Sequence, residues 1–218
     1  MTQHLAMFPL ELVVFPGERL ALHIFENRYQ QLIADCELHT MTFGIPVYIK
    51  GKLSYGTEVR LEKVEKRYSD GASDVVCRGL RVFKIEEFYP VYNDKLYSGA
   101  AVTFLENIDD GTGSQRGLFF NLAKQFYALL GADPGLTNDA EINSFSFTHK
   151  LGLSLRQEVA LLKLSSESAR YVYLIDHLTV TLPVVEQINR TRELIQLNGH
   201  FKNFDPLDFT DYKLDERL

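Results

Sequence analysis

The sequence predicts an α+β protein: a small, mostly antiparallel β-barrel with one inserted short helix, followed by an α-helical bundle. Apolar residues mostly alternate up to about residue 110, the period of strands. Beyond it they recur at three- and four-residue spacing, the period of helices. Between the two lies IDDGTGSQRG (108–117), acidic, glycine-rich and without periodicity. The expected division is a β-rich part over 1–108, a linker over 109–117, a helical part over 118–200 and an acidic tail over 201–218.

The elements follow in order. In FPLELVVFPG (8–17), Phe8, Leu10, Leu12 and Val14 share one parity, which predicts a first strand with those side chains toward the core. Glu11, Val13 and Phe15 then fall on its other, open face. Pro9 cannot donate to a ladder and belongs at a strand start or edge. Pro16-Gly17 is turn chemistry, because proline presets φ and glycine accepts positive φ. Leu20, Leu22 and Ile24 make the next inward face, with His23 turned away beside Ala21 and Phe25. Tyr29, Leu32, Ile33 and Cys36 then form the stripe of a short amphipathic helix. Glu26 stands at the helix start, where an acid is favoured, and Arg28 can pair with it.

Strands resume at 43–49, 57–68, 73–79, 80–89 and 96–105, with Asp70-Gly71 as a hairpin signal. Parity slips between Leu61 and Val64, and again between Val82 and Phe83, predict bulges that help a sheet curl. In the second half, Thr112 with Gln115 and Ser154 with Gln157 have capping-box spacing. Leu118, Leu122, Phe126 and Leu129 form one expected stripe. FSFTHKLGL (145–153) reads as a short helix. A long helix should carry Val172, Ile175, Leu178, Leu182, Val185 and Ile188, kinked or split at Pro183.

Composition narrows the function classes. The 218 residues are 45% hydrophobic and carry a formal charge of −6. No basic stripe is present, since Lys63, Lys66 and Arg67 alternate with Glu62 and Glu65, so nucleic acid is an unfavoured partner. No apolar run is long enough to span a membrane. The opening residues lack a basic start and a cleavage site, so neither an export signal nor a membrane anchor is expected. The two cysteines, Cys36 and Cys77, read as small buried thiols of a reducing, cytoplasmic setting.

Catalytic and metal constellations are not visible. GTGSQRG has neither the lysine of a phosphate loop nor dinucleotide-fingerprint spacing. There is no G-x-S-x-G elbow. The six histidines show no i, i+4 pair, and neither cysteine has a neighbour at metal-ligand spacing. No cofactor, metal or catalytic residue is therefore predicted.

Several stretches together resemble a family. FPLELVVFPGERLALHIFENRYQQLI is similar to the opening of the N-terminal substrate-recognition domain of Lon ATP-dependent proteases. The matching residues include Pro9, Leu10, Val13, Val14, Phe15, Pro16, Gly17, His23, Phe25, Glu26, Arg28 and Tyr29. Tyr55-Gly56-Thr57 and GLRVFKI (79–85), with Gly79 and Phe83, continue the likeness. The family usually has arginine before that phenylalanine, where this chain has Val82. The resemblance implies a PUA-like pseudo-barrel packed to a helical bundle. Pro9, Pro16, Gly17, Phe25, Glu26, Arg28, Tyr29, Gly79 and Phe83 would be its architecture.

The resemblance further implies recognition of an unfolded or partner polypeptide, in company with other components of a proteolytic system. The sequence has no nucleotide-binding loop and no serine-lysine protease segment, so peptide-bond hydrolysis is not expected. Glu11, Val13, Phe15 and His23 are the candidate peptide-binding residues. Two other readings stay open: RNA binding, which PUA-like barrels often serve, and a small-molecule or hydrolase site without a sequence signature.

Overall fold

A computed structural model describes residues 2–132, 143–146 and 148–200. Six strands form one sheet: β1 (Gln3–Met7), β2 (Arg19–Ile24), β3 (Phe43–Ile49), β4 (Lys52–Arg67), β5 (Ser73–Tyr89) and β6 (Ser98–Phe104). Their order is β2-β5-β4-β3-β1-β6, and a further β5–β6 pairing closes five of them into a ring. β1 and β3 run parallel, while the other ladders are antiparallel. β2 lies outside the ring, on the first half of β5. Helix α1 (Asn27–His39) is inserted between β2 and β3.

The stretch FPLELVVFPG is not the first strand. That place belongs to β1, which the alternation did not single out, and 8–15 form a mostly irregular segment beside it. Pro9 lacks a donor, and the backbone of the segment meets β3 only through the Phe8 amide on the Gly44 carbonyl and the bridge of Leu10 to Val47. The chain then turns at Pro16-Gly17, with Gly17 at φ 84° and the Glu18 amide donating to the Phe15 carbonyl at 3.1 Å.

Nor is one face of this segment open. Val13 and Phe15 are each 1% exposed, as is Val14 on the other side. Phe8 and Val14 join the core beneath α1, with Tyr29, Leu32, Ile33 and Cys36. Val13 and Phe15 join a second core shared with the helices. Alternation reported which side chains share a side, but both sides are covered.

The same reason explains Val82 and Phe83. No bulge separates the two, as Thr57 pairs Val82 and Gly56 pairs Phe83, but the β4–β5 ladder shifts register just beyond Val82, between Thr57 and Val59. Phe83 points into the ring with Met7, Ala100 and Val102. Gly44 and Gly56 leave room for it, since a Cβ at either would come within 2.9 Å of the Phe83 ring. Val82 points the opposite way, toward the helices. The slip near Leu61 is a true register shift, between Leu61 and Lys63.

Helices follow the barrel: α2 (Gly113–Leu129), a 3-10 turn at Thr148–Lys150, α3 (Leu155–Leu162) and α4 (Glu167–His200). The Thr112–Gln115 capping box starts α2, its two bonds 3.0 and 3.2 Å long. Gln157 likewise reaches back to the Ser154 amide at 2.8 Å. The buried stripe of α2 is Phe119, Ala123, Phe126 and Tyr127, while Leu118 is exposed. In α4, Tyr171, Leu174, Leu178 and Leu182 are buried, whereas Val172 and Ile188 face out.

Pro183 does not split α4, which continues as one helix to His200. The proline and Thr179, whose carbonyl it deprives of a donor, are both exposed, so water can satisfy that carbonyl. Cys36 and Cys77 are far apart in sequence but share the core under α1 as free thiols. Burial pushes both up to about 12. The acidic tail over 201–218 lies outside the described residues.

Candidate functional site

The Pro16-Gly17 turn is pinned to β5. The Gly17 amide donates to the Gly79 carbonyl at 2.9 Å, and the Gly79 amide donates to the Glu18 carbonyl at 2.9 Å. Thr57 donates its hydroxyl to the Val14 carbonyl. A Cβ on Gly79 would lie 2.3 Å from the Phe15 carbonyl oxygen, so glycine is required there for close approach.

Three recesses adjoin this turn, with volumes of about 310, 450 and 200 Å³. Pro16 and Phe145 stand in the walls of all three. The first adds Glu18 and His149, the second Asn107, Arg116, Glu167 and Tyr171, and the third the apolar side chains of Leu105, Val82, Leu162 and Leu164. Phe145 stacks on Phe15 at 5.3 Å and lies under the Arg170 guanidinium at 4.5 Å. The result is a groove between the barrel turn and the helices, with aromatic and aliphatic walls and a polar rim.

Two charged clusters flank it. Arg170 and Glu167 pair at 2.7 Å with side chains only 3% and 7% exposed. Arg170 also donates to the Ser144 hydroxyl, the Leu164 carbonyl and the Asn107 carboxamide. Glu167 accepts from the Ser144 amide and hydroxyl at 2.8 and 2.7 Å. Burial works to raise the Glu167 carboxyl, but the bonds from Ser144 and Arg170 outweigh it and hold it below its ordinary value.

His149 forms the second cluster. It bridges Glu158 of α3 at 2.7 Å and Glu18 of the turn at 3.1 Å, with its ring 5.0 Å from Phe15. The hydrogen bond to Glu158, then that to Glu18, raises its pKa to about 9. Glu18 also accepts the Phe15 amide at 2.8 Å, so one carboxylate ties the turn to both halves.

The candidate residues do not converge here. Val13 and Phe15 are buried, and Phe15 reaches the groove only as backing for Phe145 and His149. Glu11 is exposed on a bend. His23 lines none of the three recesses. It sits on β2, its side chain 55% exposed, bonded to Asp74 at 2.6 Å. Pro16, read as architecture, lines all three recesses, and Gly17 lines two of them.

Among the other motif residues, Tyr29, Gly79 and Phe83 are buried, Pro9 is half-buried, and Arg28 pairs with Glu26 at 2.7 Å. Phe25 departs from its expected structural role, because it is 65% exposed. Val82 stands where the resemblance led to an expectation of arginine, and its neighbour Arg81 bonds Glu58 at 2.7 Å and covers the Phe104 ring.

His149, Glu158, Glu167 and Arg170 were not singled out in the sequence. One signal was present: Glu167 lies four residues before Tyr171 on the buried stripe of α4, which marks it as a polar group facing the core. His149 had no such local mark, since its partners are 9 and 131 residues away. Among the described residues no group of three or more His, Cys, Asp or Glu is placed to hold a metal ion. No helix is long and apolar enough to cross a membrane, again among the described residues.

The family model for the ATP-dependent protease La (LON) substrate-binding domain matches residues 4–187. The chain belongs to that family. Its fold is similar to the crystal structure of a Lon N-terminal domain protein from Xanthomonas campestris, with a TM-score of 0.63 and 26% identity over 80% of this chain and 98% of that one. It is also similar in fold to the N-terminal domain of the Mycobacterium avium complex Lon protease, with a TM-score of 0.60 and 17% identity over 81% of this chain and 98% of that one. No curated protein matches the chain. In Lon-family terms, the region matched is the one named for substrate binding, and no catalytic domain is identified.

Proposed function

We propose that this Lon-family chain is a non-catalytic recognition module. It holds unfolded or partner polypeptides in the groove at Pro16-Gly17, in the cytoplasm and alongside other components of a proteolytic system. The β-rich part over 1–108 and the helical part, which begins with α2 at Gly113 inside the expected linker, supply its two walls.

The observation that carries this reading is the run of three recesses sharing Pro16 and Phe145. Apolar walls with a polar rim suit side chains of an extended chain. Two of the charged groups nearby are tied up: every Arg170 nitrogen is engaged, and both His149 nitrogens face carboxylates. Neither Arg170 nor His149 is left as a free base beside a nucleophile among the described residues.

The test is fluorescence anisotropy with a carboxymethylated, permanently unfolded model protein. Saturable binding is expected. Phe145→Ser should weaken it roughly tenfold, the loss of one aromatic anchor, and Ser146→Arg, which fills the first recess, should do the same without removing core. Binding that neither variant weakens would remove the groove from the reading. No saturable binding at all would remove polypeptide recognition itself.

A further inference from the structure

We propose that the outer edge of β2 captures an extended polypeptide segment as an added strand. This rests on the polypeptide-recognition reading and gives it a second, backbone-directed site.

The ring β5-β4-β3-β1-β6 closes on itself and so hides its edges, but β2 hangs outside it with β5 as its one strand neighbour. In an antiparallel pair every second residue turns its N–H and C=O away from the partner. Among the described residues, no hydrogen bond from another element reaches the backbone of Arg19–Ile24 on that outward side. Several usual guards of an exposed edge are missing as well, though Arg19 stands at its start. RLALHI contains no proline and no lysine, and its register with β5 runs without a bulge.

The side chains suit an alternating guest. Arg19, Ala21 and His23 are exposed on one face, while Leu20 and Leu22 are half-buried on the other, at the border of the core under α1. A strand laid against β2 would extend that apolar border with every second residue. At the end of the strand stands Phe25, 65% exposed, its ring 6.0 Å from His23, which in turn meets Tyr68 at 5.6 Å. Nearby charged groups already have partners, since Arg19 and Arg78 share Glu62 and His23 bonds Asp74.

The length decides between occupants. Six residues span about 20 Å, and two such edges paired with each other cover far less than the roughly 1,000 Å² of a stable dimer. For strand addition by a short segment the same strip is sufficient.

The experiment uses the intact chain and a valine-threonine alternating peptide flanked by lysines, in three forms: unmodified, N-methylated at even positions, and N-methylated at odd positions. One methylated form should bind roughly tenfold or more weakly, from loss of two or three hydrogen bonds, and the other nearly as well as the parent. Hydrogen exchange should slow at alternate amides of β2 on binding. Equal binding of both methylated forms, with β2 exchange unchanged, overturns the edge while leaving the groove reading intact. Protection of β2 that instead rises with protein concentration, with dimers in sedimentation, assigns the edge to a second copy and also overturns it. If neither this peptide nor the unfolded model protein binds, polypeptide recognition fails as a whole.

Discussion

Two carboxylate–guanidinium contacts in this protein have nearly the same length and very different surroundings. Glu167 and Arg170 meet at 2.7 Å with 7% and 3% of their side chains exposed. Arg19 and Glu62 also meet at 2.7 Å, but with 56% and 24% exposed. The first pair is cross-linked to Ser144, Asn107 and Leu164 and joins three separate segments. The second lies across the outer face of β2 and its neighbours, where water competes for every bond. Distance alone therefore says little about which ion pair holds the groove in shape. Desolvation decides, because a buried charge that loses its partner has no water to replace it.

That comparison can be broken by experiment. The largest effect is expected for Arg170→Ala, which strands the Glu167 carboxylate and should cost about 3–5 kcal/mol in urea unfolding. A loss under about 1 kcal/mol would mean that the cluster is wetter than its burial implies.

His149 is the intermediate case, with 36% of its side chain exposed. Its pKa is raised from 6.5 to about 9, so its contribution is full below the unfolded value and fades as pH rises through about 9. After allowance for screening that contribution is about 1 kcal/mol. His149→Gln should flatten the stability profile between those two pH values, and an unchanged slope would sink the assignment. The smallest effect is expected for Arg19→Ala, which should leave the unfolding midpoint where it is. A clear drop would show that the exposed cluster couples β2 to the barrel more tightly than surface pairs usually do.

Much of the fold was legible in the sequence, and for stated reasons. β3 has the bounds that its apolar run suggested, the Asp70-Gly71 hairpin joins β4 to β5, and Tyr29, Leu32, Ile33 and Cys36 are the buried face of α1. These elements have one covered side, so periodicity points the right way. It misled where both sides are covered. Val13 and Phe15 were read as open because Val14 and Phe8 are inside, yet the helical half covers the other side. In α2 the apolar residues nearly encircle the helix, and Leu118 competes with Phe119 for the inner face.

The groove was less legible than the barrel because it is built by distant partners. Phe145, His149 and Arg170 acquire their roles from Phe15, Glu18 and Asn107, which no local pattern connects to them. The motif FPLELVVFPG identified the family and fixed the turn. It could not show that the turn itself forms one wall of the groove.

The pairing of β1 with β6 has a consequence in time rather than in space. It joins Gln3–Met7 to Ser98–Phe104, so the last seam of the ring links segments more than ninety residues apart. During synthesis the first strand has its antiparallel neighbour only after β6 has left the ribosome. Until then Met7, Phe83 and Val102 have no enclosed space to fill. Closure is a long-range event with a substantial loop entropy. The interval before it is when the nascent chain is most like the unfolded polypeptides it is proposed to bind.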